Sequence, residues 1–332
     1  MDIKYLLVLQ NFREGAGSIF TSFFEKMTFL GELNTVLVIM ALIYWCISKQ
    51  TGAYLLMGWS GNRLVNGFLK VTACAYRPWI RDSRIVPYGN TITTATGYSF
   101  PSGHTMNAVS VYGGGIVHGK VRPFSRVIFA VIVILIGFSR NFLGVHTPQD
   151  VVVGVAAGLV VMWLTYKLMQ WIESHPEKDW VVTVAGALIA CAVAAYAALK
   201  PYPADYDAAG KLLVDGAKMA NDTFKGCGYS IAFFVGWLLE RRVIGFTTEI
   251  SVSQKLTRAA VGVVGFYVFT MIVIPLIKGA VPGAAGAFLQ GFIQVFYIAF
   301  LFPCCFRAID RGARELRSNG AIRTSSGKGI KL

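Results

Sequence analysis

The chain has 332 residues, 55% of them hydrophobic and only 14% charged, with a formal net charge of +14. That much apolar surface exceeds what one soluble core can bury and makes a bilayer the natural solvent. The positive charge lies in short loops and a tail rather than on a soluble domain, which excludes nucleic acid as a partner.

Residues 1–33 open the chain with Arg13, Glu14, Glu25 and Lys26 set among apolar residues. They predict one or two helices lying in the membrane interface. A basic start, an apolar run and a small-residue cleavage site do not occur there in the order of a signal peptide. Six clear apolar windows follow, at 34–48, 124–138, 150–171, 180–199, 259–277 and 284–306. Three less pure ones lie at 51–75, which carries Asn62, Arg63 and Asn66, at 104–119 and at 227–239. Crossing the hydrocarbon takes about 20 apolar residues per helix, so the expectation is an all-α polytopic bundle of about nine spans. Its expected parts are a catalytic core over 34–175, an accessory bundle over 176–306 and a basic cytoplasmic tail over 307–332. The polar connection 200–225 predicts an amphipathic surface helix.

Three basic clusters fall on one side if the spans alternate. They are Lys120, Arg122 and Arg126; Arg241, Arg242, Lys255 and Arg258; and the tail with Arg307, Arg311, Arg314, Arg317, Arg323, Lys328 and Lys331. The positive-inside rule makes that side cytoplasmic. Loops 77–99 and 139–147 then share the extracytoplasmic face. The six cysteines are scattered with no CxxC pair, and read as small apolar residues inside the spans.

Polar islands at membrane boundaries are costly and mark candidate function. In the first, KVTACAYRP, Lys70 and Arg77 are seven residues apart, two helical turns, so both cations point the same way; independent snorkelling is the simpler alternative. In the second, YSFPSGHT, Ser102 reads as a helix cap, Gly103 permits close approach of a ligand, and His104 sits in a first turn whose free N–H groups attract anions. In the third, SRNFLGVHTPQD, Arg140 precedes His146, and Asp150 follows four residues later. Asp150 reads either as the acid of a capping box begun by Thr147 or as the carboxylate that holds the tautomer of His146. Together the islands hold three cations, two of the four histidines, one carboxylate and a helix start. That is an inventory for handling phosphate. Clustered carboxylates or a tighter histidine pattern, as metal chemistry needs, are missing from the sequence, so no metal or other cofactor is expected.

These motifs resemble the type 2 phosphatidic acid phosphatase superfamily, whose signature is Lys-x6-Arg-Pro, Pro-Ser-Gly-His and Ser-Arg-x5-His-x3-Asp. All three are met in order and without substitution, through Pro78, Pro101 and Ser139 as well as the residues already named. The resemblance implies that His146 attacks phosphorus to form a phosphohistidine, that Asp150 orients it and that His104 protonates the leaving group. It also implies that Lys70, Arg77, Ser102, Gly103 and Arg140 hold the phosphate. It covers roughly 34–171 and says little about the second half. The implied substrate is a lipid phosphate in the cell membrane: undecaprenyl diphosphate, phosphatidylglycerol phosphate or phosphatidic acid, with a lean toward the isoprenyl diphosphate. Arg81 and Arg84 read equally as contacts to a second phosphate and as solvated loop charges. A homodimer stays open. The rivals are a lipid phosphotransferase using the same intermediate and a lipid transporter without turnover. A vanadate-using haloperoxidase shares the constellation but belongs to soluble proteins.

Overall fold

The computed structural model describes residues 1–310 except Asn90, Gly119 and Lys120. Lys120 and the tail residues from Arg311 onward, which belong to two of the basic clusters, lie outside the described residues. Among the described residues the architecture is all-helical, without a named strand. The chain opens with two short helices, α1 (Asp2–Gly15) and α2 (Ser18–Phe29), and continues into α3 (Leu33–Leu42), which ends in a π-helical turn. The long α4 (Lys49–Ala73) follows, then two single turns, α5 (Pro78–Arg81) and α6 (Thr91–Thr94). A continuous rod comes next: α7 (Gly103–Ala108), a π-helical turn and α8 (Gly114–His118). After it run α9 (Pro123–Phe142), α10 (Pro148–Ser174), α11 (Asp179–Leu199), α12 (Gly216–Leu239), α13 (Val252–Ala280), α14 (Gly283–Phe296) and the short α15 (Phe302–Cys304).

Each apolar window is largely helical where it is described, but among the described residues five helices are long and apolar enough to cross a membrane, or six if the pair 18–29 and 33–47, bent by 54°, is one span. The expected count of nine is not reached by that measure. The windows that fall short, on α4, the α7–α8 rod and α12, lie largely inside the bundle. Tyr54, Leu56 and Trp59 of α4, Ala108 and Val109 of the rod, and Phe233 and Trp237 of α12 share one buried core. A helix wrapped by other helices need not present an apolar surface to lipid, so it can carry bonded polar groups. Asn62 Nδ2 accordingly donates to Ser110 Oγ at 2.8 Å, and Ser230 Oγ to the Ser60 carbonyl at 2.9 Å. The outer helices show the opposite pattern. Leu188 and Ile189 on α11 and Met271 and Leu276 on α13 are exposed apolar side chains, as suits a surface that faces a bilayer.

Small residues set the closest approaches. A Cβ on Gly158 of α10 would lie 2.9 Å from Val109, and one on Gly291 of α14 would lie 2.2 Å from the carbonyl oxygen of Lys225 on α12. The connection expected to form an amphipathic helix over 200–225 is irregular up to Asp215, which caps α12 by accepting from the Ala217 and Lys218 amides. The cysteines are free, and only Cys46 and Cys227 are buried; Cys191, Cys304 and Cys305 are exposed, contrary to the expectation of buried small residues.

The bundle has two chemically distinct ends. At one, where α4 begins and α10 and α12 finish, cations are paired: Lys49 with Glu240 at 2.7 Å, Arg241 and Arg242 with Asp179, and Arg258 with Asp310 at 2.6 Å. At the other, where α4 and α9 finish and α10 and α12 begin, the three motifs meet.

Candidate active site

The first motif is placed by a helix end. Cys74 adopts a left-handed conformation with φ of 45° and its amide closes on the Lys70 carbonyl, so α4 stops before Arg77. The two-turn spacing therefore does not align Lys70 and Arg77 on one helix face. Loop contacts bring them together instead. Arg77 donates from Nε to the Gly97 carbonyl at 3.1 Å, from Nη2 to Thr96 at 3.4 Å and from Nη1 to Val145 at 2.9 Å. Lys70 Nζ donates to the carbonyls of Tyr98 at 2.9 Å, Pro101 at 3.3 Å and Ser99 at 3.5 Å, so it gathers the segment that leads into the second motif.

Ser102 caps α7 as expected: its Oγ accepts from the Thr105 amide at 3.4 Å and from Thr105 Oγ at 2.9 Å. Its hydroxyl is thereby turned into its own helix, whereas Gly103 and His104 face a cavity of about 270 Å³. A Cβ on Gly103 would meet nothing closer than Asn66 Oδ1 at 3.8 Å and Arg63 Nη1 at 3.9 Å, so the amide end of this helix is open to a ligand.

The third motif spans the junction of α9 and α10. Thr147 and Asp150 form the capping box, and the same carboxylate also serves the histidine. Asp150 Oδ2 accepts from the Thr147 amide at 2.8 Å and from Ser99 Oγ at 2.5 Å, and lies 3.2 Å from His146 Nδ1. On the other side of the ring, Arg77 Nη1 is 2.8 Å from His146 Nε2. A guanidinium only donates, so Nε2 carries the lone pair and the ring proton sits on Nδ1, facing Asp150. Burial first, and the Arg77 charge second, hold the His146 imidazole well below its ordinary pKa, against the pull of Asp150. The ring is thus kept neutral and pointed outward, as a nitrogen nucleophile requires.

His104, His146, Lys70, Arg77, Gly103 and Arg140 all line the one cavity. Asp150 lies behind His146 and Ser102 behind Gly103, neither on the wall. Arg140 is 1% exposed; its Nη1 donates to Thr28 Oγ1 at 2.5 Å, while Nε and Nη2 have no partner among the described residues. Two unsatisfied guanidinium donors beside a neutral histidine make a place for oxyanions. No group of three or more metal-ligating side chains occurs among the described residues.

Several residues on or behind the wall were not read from the sequence. Ser99 lies inside the second island, ahead of its PSGH core, with nothing in its spacing to mark it, and Thr28 on α2 is an ordinary threonine until Arg140 reaches it. Arg63 and Asn66 were visible as impurities of an apolar window, seven and four residues before Lys70, and that polar periodicity was the available signal. Met219, Asp222, Thr223, Lys225 and Tyr229 come from α12, in the half expected to be accessory. Arg81 and Arg84 are absent from the wall: Arg81 pairs with Asp2 and Arg84 with Asp82, each at 2.7 Å, so they tie the loop down.

Comparison with known proteins agrees with this geometry. Residues 35–174 match the PAP2 superfamily, and residues 224–314 match the PAP2 superfamily phosphatase transmembrane extension. The chain is 33% identical over 155 residues to phosphatidylglycerophosphatase B of Bacillus subtilis, covering 44% of this chain and 71% of that protein. It is 31% identical over 128 residues to lipid A 4'-phosphatase of Porphyromonas gingivalis, covering 37% of this chain and 52% of that protein. A shorter match, 31% over 80 residues, covers 20% of this chain and 19% of lipid phosphate phosphatase delta of Arabidopsis thaliana. No solved structure matches significantly. With its three motifs gathered on one cavity and both family regions present, the chain belongs to the PAP2 superfamily as a multi-pass membrane phosphatase.

Proposed function

We propose that the protein hydrolyses a phosphomonoester or diphosphate lipid without a metal, through a phosphohistidine on His146, at the extracytoplasmic face of the cell membrane. The observation that carries this reading is the polarity of His146, whose Nδ1 faces Asp150 while its lone-pair nitrogen faces the cation-lined cavity. His146 Nε2 forms a bond to phosphorus as the bond from phosphorus to the lipid oxygen breaks, and His104 gives that oxygen its proton. Arg77 and Arg140 donate to the phosphoryl oxygens, which take the place of Nε2 as acceptor of the Arg77 N–H. Asp150 steadies the positive charge that the ring acquires. Water then attacks phosphorus, His104 takes a proton from it, and cleavage of the P–N bond returns neutral His146 and free phosphate. Lys70, through the loop it holds, and Ser102, through the helix it caps, position the open Gly103 amide.

The relatives named for phosphatidylglycerol phosphate and for lipid A support a lipid substrate, and phosphatidylglycerol phosphate, undecaprenyl diphosphate and phosphatidic acid are the candidates. The outer face is supported by the charge pattern: the paired basic residues lie at the far end of the bundle from His146. The test is phosphate release by purified full-length protein from each of the three lipids, with chelator present. Release that His146→Ala abolishes is expected. No release, release only when metal is restored, or transfer to an acceptor in place of free phosphate would overturn the reading.

A further inference from the structure

The wall of the cavity is strongly cationic. It holds five cationic side chains, Arg63, Lys70, Arg77, Arg140 and Lys225, against one carboxylate, Asp222, which is paired to Lys218 at 3.2 Å. The Asp150 carboxylate behind His146 and Glu32 beside Arg140 offset part of that charge, and a bound phosphate supplies about two further negative charges.

Besides Arg140, two groups without partners lie at one place, the contact between α4 and α12. Gly226 brings α12 against the Arg63 backbone, where an added Cβ would lie 3.6 Å from the Arg63 carbonyl oxygen. Arg63 Nε and Tyr229 Oη are both buried with no hydrogen-bond partner among the described residues, and both side chains line the cavity. Tyr229 is 1% exposed and its ring packs on Trp59 with centroids 5.2 Å apart, so its hydroxyl is held in place rather than free to turn to solvent. Buried donors without acceptors on a cavity wall mark where a ligand supplies the acceptors. Arg63 Nη1 also approaches the open end of α7, next to His104. In the proposed reaction His104 faces the oxygen that leaves, so this cluster adjoins the leaving group rather than the attacking side.

We infer that Arg63, Lys225 and Tyr229 form a second anion site that binds a phosphate on the leaving-group part of the substrate, so that preferred substrates carry a second phosphate beside the one removed. The inference rests on the phosphatase reading for its direction and deepens it by naming the substrate class. It gives the transmembrane extension a role, since Lys225 and Tyr229 lie within it. Two lipids supply this chemistry. In an isoprenyl diphosphate the second phosphate is joined directly to the first, and in phosphatidylglycerol phosphate it is a diester separated by glycerol.

Binding to full-length protein in nanodiscs tests the site without turnover, using His146→Ala as the background and farnesyl diphosphate, phosphatidylglycerol phosphate and phosphatidic acid as probes. One or both two-phosphate lipids are expected to bind about tenfold more tightly than phosphatidic acid, and which of them does so identifies the source of the second phosphate. Adding Arg63→Gln or Lys225→Gln is expected to bring that preference close to unity, Lys225→Arg to keep it, and Tyr229→Phe to reduce it. Should a charge-removing variant fail to fold, Tyr229→Phe removes only a hydroxyl and decides alone. Equal affinity for all three lipids, or a preference that survives these changes, overturns the inference. Absence of phosphate release by the unmodified enzyme would instead sink the phosphatase reading, while the binding comparison would still stand.

Discussion

Asp150 shows how one side chain serves two purposes at the residue scale. Its carboxylate closes the capping box of α10 and also faces the histidine, with Ser99 as a third partner. The sequence left capping and catalysis as alternatives for Asp150; four-residue spacing on a helix start lets one carboxylate cap the helix and face His146 at once. Ser99 was not legible, because its approach to Asp150 depends on the loop that Lys70 gathers. Asp150→Asn removes the acceptor that fixes the Nδ1–H tautomer, and kcat is expected to fall by about 10²–10⁴. Ser99→Ala leaves that acceptor in place and is expected to cost about tenfold. Equal losses in the two variants would show that Asp150 acts only as a cap. A pH profile checks the electrostatics. Burial and Arg77 disfavour the imidazolium of His146, and attack needs the neutral ring, so activity is lost as pH falls through a lowered pKa. The acid limb of kcat/KM is therefore expected below about pH 6.5, the ordinary imidazole value. Arg77→Gln, by removing a repelling charge, is expected to move that limb to higher pH; a limb that stays put would remove Arg77 from this role.

At the scale of elements, hydropathy located the helices but misjudged their surroundings. The windows on α4, the α7–α8 rod and α12 looked impure because their polar residues face other helices or the cavity, and in a bundle that impurity marks the interior. The same blindness divided the chain into a catalytic and an accessory half: nothing local in α12 shows that Met219, Asp222, Lys225 and Tyr229 reach a cavity built by residues that lie far earlier in the sequence, on α4, α7 and the α9–α10 junction. The glycine approaches let this be tested. Gly158→Leu drives a side chain into Val109, which can shift, whereas Gly291→Leu meets the backbone carbonyl of Lys225, which cannot without moving α12. Overpacking costs about 1–3 kcal/mol, so both variants are expected to lower Tm in detergent. Gly291→Leu should lower it further and also reduce phosphate release, although residue 291 does not line the cavity. Retention of full activity by Gly291→Leu would detach α12 from the site.

For the molecule as a whole, the helical fold class and the residues that gather at the candidate site were legible because a membrane favours helices and each of the three motifs is contiguous in sequence. The manner of their convergence was not, since α4 ends at Ala73 and Arg77 is placed by carbonyls from two later loops. Orientation can be checked by labelling. In a cysteine-free background, Ala208→Cys in the connection before α12 is expected to react with an impermeant maleimide on intact cells, and Val243→Cys at the opposite end only after lysis. The reverse pattern would place the site on the inner face. The central claim, covalent catalysis by His146, is tested most directly by mixing the enzyme with a lipid radiolabelled in its terminal phosphate, quenching rapidly in base, which preserves phosphohistidine, and mapping the label. The label is expected on the peptide that carries His146 and nowhere in His146→Ala. Turnover without labelled protein, or label that persists in His146→Ala, would contradict the account.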